Sequence, residues 1–160
     1  MIDDIVKELE SLPQSELQSI YELIVAKKAT YHTSLAFVQE LMGFSSQGEV
    51  NGKYVYHMKV YNELLNRYGI LHGGLMTAFI DTAMAETTFI VDNTVERALT
   101  LNITVDFIKP GLEGAILRAE VDTVQNSHSI IVFHVNVFDE NHELKATALA
   151  HFYKQHKRKV

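Results

Sequence analysis

Apolar residues recur along this chain in two rhythms, and the change between them falls at Gly43. Before Gly43 the spacing is helical. Ile2, Ile5, Val6 and Leu9 share one face, and Leu17, Ile20, Tyr21, Ile24 and Val25 return as a second amphipathic stripe. Pro13 separates the two, with Ser11 placed to cap the second helix. Ser34 can cap a short third helix, LAFVQELM, which Gly43 stops.

After Gly43 the period shortens to two. KYVYHMKVY (53–61) reads as a strand. RALTLNITVDFI alternates, which puts Leu99, Leu101, Ile103, Val105 and Phe107 on one face, and Lys109-Pro110-Gly111 turns the chain. AILRAEVDTV, SIIVFHVNVF and LKATALAHFY alternate again, the last two flanking the polar loop DENH (139–142) as a hairpin. With their turns, these four strands run over 97–108, 115–124, 129–138 and 144–153.

Between the first strand and the rest lies HGGLMTAFIDTAMAETTFIV, apolar almost all round. Such a helix must be wrapped by other structure. Helix and sheet in separate blocks give an α+β class. The predicted architecture is the hotdog fold: a curved antiparallel sheet of five to six strands around one long central helix, in a domain at 44–160, with an N-terminal helical extension at 1–43.

The central helix also carries the candidate chemistry. From Leu75 to Ala85 it is apolar or small except for Asp81, whose neighbours one turn away (Thr77, Ala78, Met84 and Ala85) offer no cation. A buried, unpaired carboxylate is expensive, so Asp81 reads as an acid kept for chemistry. His72, Gly73 and Gly74 precede it. The amides of the two glycines, at a helix N-terminus, can polarise a carbonyl oxygen, with His72 beside them as donor or orienting group. Seven residues separate Gly74 from Asp81, about 10 Å of rise. An acid at that distance acts on a carbonyl held by a second subunit when two such helices pack antiparallel. Gly74, Ala78, Asp81, Ala85 and Thr88 form a stripe, small but for Asp81, suited to that packing. A homodimer with composite sites is therefore expected.

Composition narrows the classes. A chain of 160 residues fits one domain, and 47% hydrophobic with 21% charged residues is the balance of a soluble globular protein. Lack of cysteine excludes a disulfide, a thiol nucleophile and a zinc–thiolate site, and suits a cytoplasmic location. The acidic start MIDDIVKELE lacks the basic start and apolar run of a signal peptide, and no uncharged apolar stretch is long enough for a bilayer, so no membrane partner is expected. Net charge is −6; outside the tail that holds Lys154, Lys157, Arg158 and Lys159, 10 bases face 20 acids. That body offers no basic face for nucleic acid, and the tail reads as a solvated end. The remaining histidines show no metal-site spacing, so no metal is expected.

The set Asn66, Gly69, His72-Gly73-Gly74 and Asp81, nine residues after the His, resembles the hotdog-fold acyl-CoA thioesterases of the phenylacetate-pathway (PaaI-like) group. The resemblance spans about residues 44 to 153 and includes LNITVDFIKPG (101–111). It implies hydrolysis of an acyl-CoA to free acid and CoA. The Gly74 amide, with His72 and Gly73 nearby, would hold the thioester carbonyl. Asp81 of the partner chain would act as nucleophile or general base, and Asn66 would orient carbonyl or water. Where relatives place a Ser or Thr after the helix, this chain has Ala98, with Thr100 two residues on. Where relatives carry a basic pair for CoA phosphates, it has Asn126-Ser127-His128-Ser129, which makes His128 and Ser129 the candidates. Tyr61, Tyr68, Met76, Phe79 and Met84 are candidates to line the acyl tunnel, aryl or aliphatic. The implied assembly is a homodimer, paired into a dimer of dimers, with no cofactor apart from the CoA of the substrate. Competing readings are a non-catalytic acyl-CoA sensor, a hotdog dehydratase and a purely structural dimer. Asp81 and an acidic extension poor in bases argue against the sensor, and the dehydratase's helix approach is absent.

Overall fold

The computed structural model describes residues 1–157. It divides into two compact units, Met1–Leu41 and Met42–Val160. The first contains α1 (Ile2–Glu10), α2 (Gln14–Ala29) and α3 (Phe37–Leu41). Pro13, with φ −65° and ψ 152°, is the N-cap of α2. Ser11 does not cap it, because its Oγ donates back to the carbonyl of Glu8 at 2.7 Å. The stripe expected on α2 also rotates. Leu17, Ile20, Leu23 and Ala26 are half-buried, whereas Tyr21, Ile24 and Val25 are exposed. Leu23, left out of the expected stripe, draws the covered face toward itself. Gly43 adopts φ +57° just past α3, the left-handed conformation that ends helices cheaply only at glycine.

The second unit is one antiparallel six-stranded sheet with a helix on one face. Its strands are β1 (Ser45–Val50), β2 (Lys53–Lys59), β3 (Val95–Phe107), β4 (Ile116–Asn126), β5 (Ile130–Phe138) and β6 (Leu144–His156), in the order β1-β2-β4-β5-β6-β3. The helix, α4 (Gly73–Val91), contacts five of the six strands, as the hotdog architecture requires. It is long and apolar enough to cross a bilayer by length and composition. Here its apolar side packs on the sheet instead: Met76, Phe79, Ile80, Ala83 and Met84 are buried along with Phe133, Val135 and Phe152. One polar pair sits within this core, the Tyr56 hydroxyl 3.0 Å from Thr87 Oγ1. Burial pushes that phenol up to about 12.

β3 departs from simple alternation. Its register with β6 slips between Thr100 and Asn102, so Leu101 is a bulge. Partners share a face. Ile103, Val105 and Phe107 pair with Ala150, Ala148 and Ala146, three alanines buried on the helix side. Leu99 pairs with the half-open Tyr153 on the outer side. Leu99 and Leu101 therefore do not continue the Ile103–Phe107 stripe, because one extra residue reverses the phase. Thr100, opposite the buried Phe152, turns toward the helix in their place.

Lys154 corrects the reading of the tail. It lies in β6, and its Nζ donates to Asp92 Oδ2 at 2.8 Å and to Asn126 Oδ1 at 2.7 Å. Asp92 is the C-cap of α4, so this cation ties the helix end to the β4–β5 hairpin. Lys157 Nζ donates to the carbonyl of Asn93 and its amide to that of Thr94, and Arg158 and Lys159 lie outside the described residues. The Lys154 bond, helped by Thr94, holds the Asp92 carboxyl well below the usual carboxylate range. That stabilisation is present above the ordinary carboxylate pKa and is lost as pH falls through the depressed one, so it persists throughout the neutral range. The Lys154 side chain is 2% exposed and that of Asp92 is 20%. Asp92→Ala strands the more buried charge, so urea unfolding should show it losing more stability than Lys154→Ala, on the order of 3 kcal/mol.

Candidate active site

The approach to α4 is a built turn. Asn66 Oδ1 accepts from the Tyr68 amide at 2.8 Å, and its carbonyl accepts from Gly69 N at 2.9 Å. Gly69 has φ +72°, which a side chain would strain. His72 N then donates to the carbonyl of Leu64 and fixes the start of the helix.

His72 is the N-cap, and its Nδ1 accepts from the Gly74 amide at 3.0 Å. A neutral ring bonded in this way carries its proton on Nε2. The Gly74 N–H, the donor expected from the sequence, is thus already engaged. The Gly73 N–H has no partner among the described residues. The two glycines also face different spaces. Gly73 and Asn66 line a cleft of about 300 Å³ with Met76, Phe107 and Ile108. His72 and Gly74 open onto a separate hollow beside Glu63, Leu65 and Leu75. A Cβ added at Gly73 would lie 3.4 Å from Phe107 Cζ, so the ring rests against the helix N-terminus.

Asp81 is half-buried on the flank of α4 that faces β3. Thr100 Oγ1 donates to its Oδ1 at 2.8 Å. The sequence placed Thr100 two residues from the position relatives would suggest, and the Leu101 bulge is what aims it. Asp81 Oδ2 has no partner among the described residues. Eight residues separate Gly73 from Asp81 on one straight helix, about 12 Å of rise. The structure therefore brings Asn66 to Gly73 and Thr100 to Asp81, at two separate places on one chain. Of the expected small stripe, Ala78 and Ala85 are half-covered, but Thr88 belongs to the core.

Two other expectations change. Met84 has no exposed surface and lines neither space; it is a core residue under the sheet. Phe79 is equally buried, while Met76 does reach the cleft. His128 and Ser129 lie at the opposite end of α4 from His72. The His128 ring stacks on His156 at 4.5 Å, His156 Nε2 donates to the carbonyl of His128, and His156 Nδ1 lies 3.0 Å from Thr94 Oγ1, just past the helix. The Ser129 carbonyl accepts from the Lys154 amide. The sequence reading passed over Glu86, a second acid on α4; desolvation raises its carboxyl, and it lies within electrostatic reach of Tyr56.

A sequence model described as the thioesterase superfamily matches residues 68–146. ComA2 of Bacillus subtilis (strain 168), whose name marks it as an inferred esterase, is 30% identical over 88 residues, which cover 54% of this chain and 69% of that protein. Among solved structures, the BH2602 protein from Bacillus halodurans with CoA superposes with a TM-score of 0.82 at 20% identity, over 96% of this chain and 99% of that one. The E. coli PaaI protein from the phenylacetic acid degradation operon gives 0.67 at 20% identity, over 84% and 94%. At these identities the structural likeness is one of fold.

Proposed function

The chain belongs to the thioesterase superfamily, and from that premise we propose that it hydrolyses an acyl-CoA thioester at a site shared between two subunits. One observation carries the reading: the Gly73 amide and Asp81 Oδ2, both without a partner among the described residues, lie on one helix too far apart to meet a single carbonyl.

The thioester carbonyl docks at the Gly73 N–H, with Asn66 alongside. Asp81 of the second chain approaches from the other side. Its Oδ1 is held by Thr100, which leaves Oδ2 for chemistry. As general base, Oδ2 takes a proton from water, and the water oxygen bonds to the carbonyl carbon. As nucleophile, Oδ2 itself forms that bond and gives an anhydride, which water later opens. In both routes negative charge develops on the carbonyl oxygen facing Gly73 N–H, and the C–S bond breaks to release the CoA thiolate. The products are a carboxylic acid and CoA. His128 and Ser129 remain candidates for the nucleotide end of CoA.

The sheet supports the dimer. β3 is an edge strand with no pairing on its outer side, and Leu99 and Leu101 are 47% and 60% exposed along it. A long, apolar open edge favours pairing with another strand. Pairing with a second copy of β3 covers it and sets the two α4 helices side by side, antiparallel. Binding of CoA by the similar BH2602 protein supports the choice of thioester.

The first test is thiol release from a panel of CoA thioesters by the purified chain. Turnover supports the reading. Binding of the thioesters without release of thiol would make the protein an acyl-CoA sensor instead. Within that assay, Thr100→Val should lower kcat about tenfold with KM little moved, since it loosens Asp81 and touches no substrate group. Thr100→Ser should restore most of the loss.

A further inference from the structure

We propose that the cleft between Gly73 and the 107–111 turn is the acyl pocket, that Phe107 sets its selectivity, and that Glu143 keeps it closed to acidic acyl groups by holding Lys109. This rests on the hydrolase reading only for the position of the carbonyl at Gly73.

The lining is apolar at Ile70, Leu71, Met76, Phe107, Ile108 and Pro110, and its polar groups come from Asn66, the Gly73 backbone and Lys109. The floor depends on Gly111, where a Cβ would lie 3.2 Å from Leu71 Cβ. The volume of about 300 Å³ is at the small end of ligand pockets, which suits a short aliphatic or single-ring acyl group. Phe107 is 56% exposed and brings the tip of its ring to Gly73, so it stands beside whatever enters next to the carbonyl.

Lys109 is the one charged residue among the lining. Its Nζ donates to Glu143 Oε1 at 2.5 Å, while Glu143 Oε2 takes Lys145 at 2.5 Å and Lys145 also meets Asp139 at 3.0 Å. Backbone bonds from Ile108 N and Lys109 N to the Lys145 carbonyl hold the turn against β6. The Lys109 ammonium is thus paired with Glu143, with both side chains about half exposed. A carboxylate carried into the cleft would have to compete with Glu143 for it.

The test is calorimetric binding of CoA thioethers, which have no carbonyl to cleave: methyl-CoA, hexyl-CoA and 3-carboxypropyl-CoA, against wild type, Phe107→Ala, Phe107→Leu and Glu143→Gln. Wild type should bind hexyl-CoA at least about tenfold more tightly than methyl-CoA. Phe107→Ala should shrink that ratio to about twofold, with Phe107→Leu between, which serves as the reading if the alanine variant does not fold. Glu143→Gln should raise the affinity for carboxypropyl-CoA relative to hexyl-CoA about fivefold. Equal weakening of all three thioethers by Phe107→Ala would mean that the cleft holds the pantetheine arm, and would overturn the proposal. So would a wild type that does not separate hexyl from methyl. An unmoved carboxypropyl ratio in Glu143→Gln would overturn the charge filter. The expected binding pattern in a protein without turnover would sink the hydrolase reading and leave the pocket assignment standing.

Discussion

Asp81→Ala is expected to leave a folded protein whose thioesterase turnover is lower by roughly a hundredfold or more, because the group that attacks or activates water is gone. The fold should survive. Asp81 is half-buried, its one side-chain bond is to Thr100, and the core beneath it is formed by Phe79, Ile80, Ala83 and Met84. Asp81→Asn keeps the shape and the Thr100 contact, so it should be as inactive as the alanine variant while KM moves little. Wild-type turnover in either variant, measured by thiol release, would remove Asp81 from the mechanism.

The second large effect concerns a single N–H. Gly73 is the first residue of α4, and His72 before it has φ −62° and ψ 126°. Proline is well suited to the first helical position, and an extended residue suits the position before proline. Gly73→Pro therefore deletes one donor with little cost to the helix. Removing an oxyanion donor should lower kcat about 10²- to 10³-fold. Gly73→Ala keeps the amide and places its Cβ 3.4 Å from the Phe107 ring, an ordinary contact, so it should stay within a few-fold of wild type. Gly74→Pro is the contrast. It removes the bond that His72 Nδ1 accepts, which should cost about 1 kcal/mol of stability as a lost cap and far less turnover. If Gly74→Pro proves inactive and Gly73→Pro active, the donor is Gly74 and His72 must turn away on binding.

Much of this arrangement was legible in the sequence, and the failures have physical causes. The apolar run of α4 required a wrapped helix, and alternation marked β2, β4, β5 and β6 because those strands have one buried face, while β3 alternates in sequence although most of it is exposed. β1 escaped because SSQGEV is almost wholly exposed and has no apolar rhythm. Its signal was the Asn51-Gly52 pair, both with positive φ in the structure, a hairpin turn between β1 and β2. The bulge at Leu101 was hidden for a different reason. An extra residue leaves no mark when the residues around it are all acceptable strand formers, so Leu99 was assigned to the wrong face and Thr100 looked misplaced. Asp81 stood out as a lone acid in an apolar helix and Gly73 as part of the glycine pair at the helix start, whereas Asn66 came from the family resemblance alone. Which of two adjacent glycine amides is free depends on a rotamer of His72, and no spacing reports a rotamer. The burial of Met84 depends likewise on the phase of the helix against the sheet.

Complementation between two inactive chains tests the shared site most directly. Asp81→Ala and Gly73→Pro proteins are mixed, exchanged under mild denaturant, and the heterodimer is confirmed by native mass. In a heterodimer built as proposed, the Gly73 of the first chain faces the Asp81 of the second, and the other site carries both defects. Turnover should reappear at about one site in two per heterodimer, or roughly a quarter of wild type for a fully exchanged equal mixture. Confirmed heterodimer with no recovered thiol release would contradict the account.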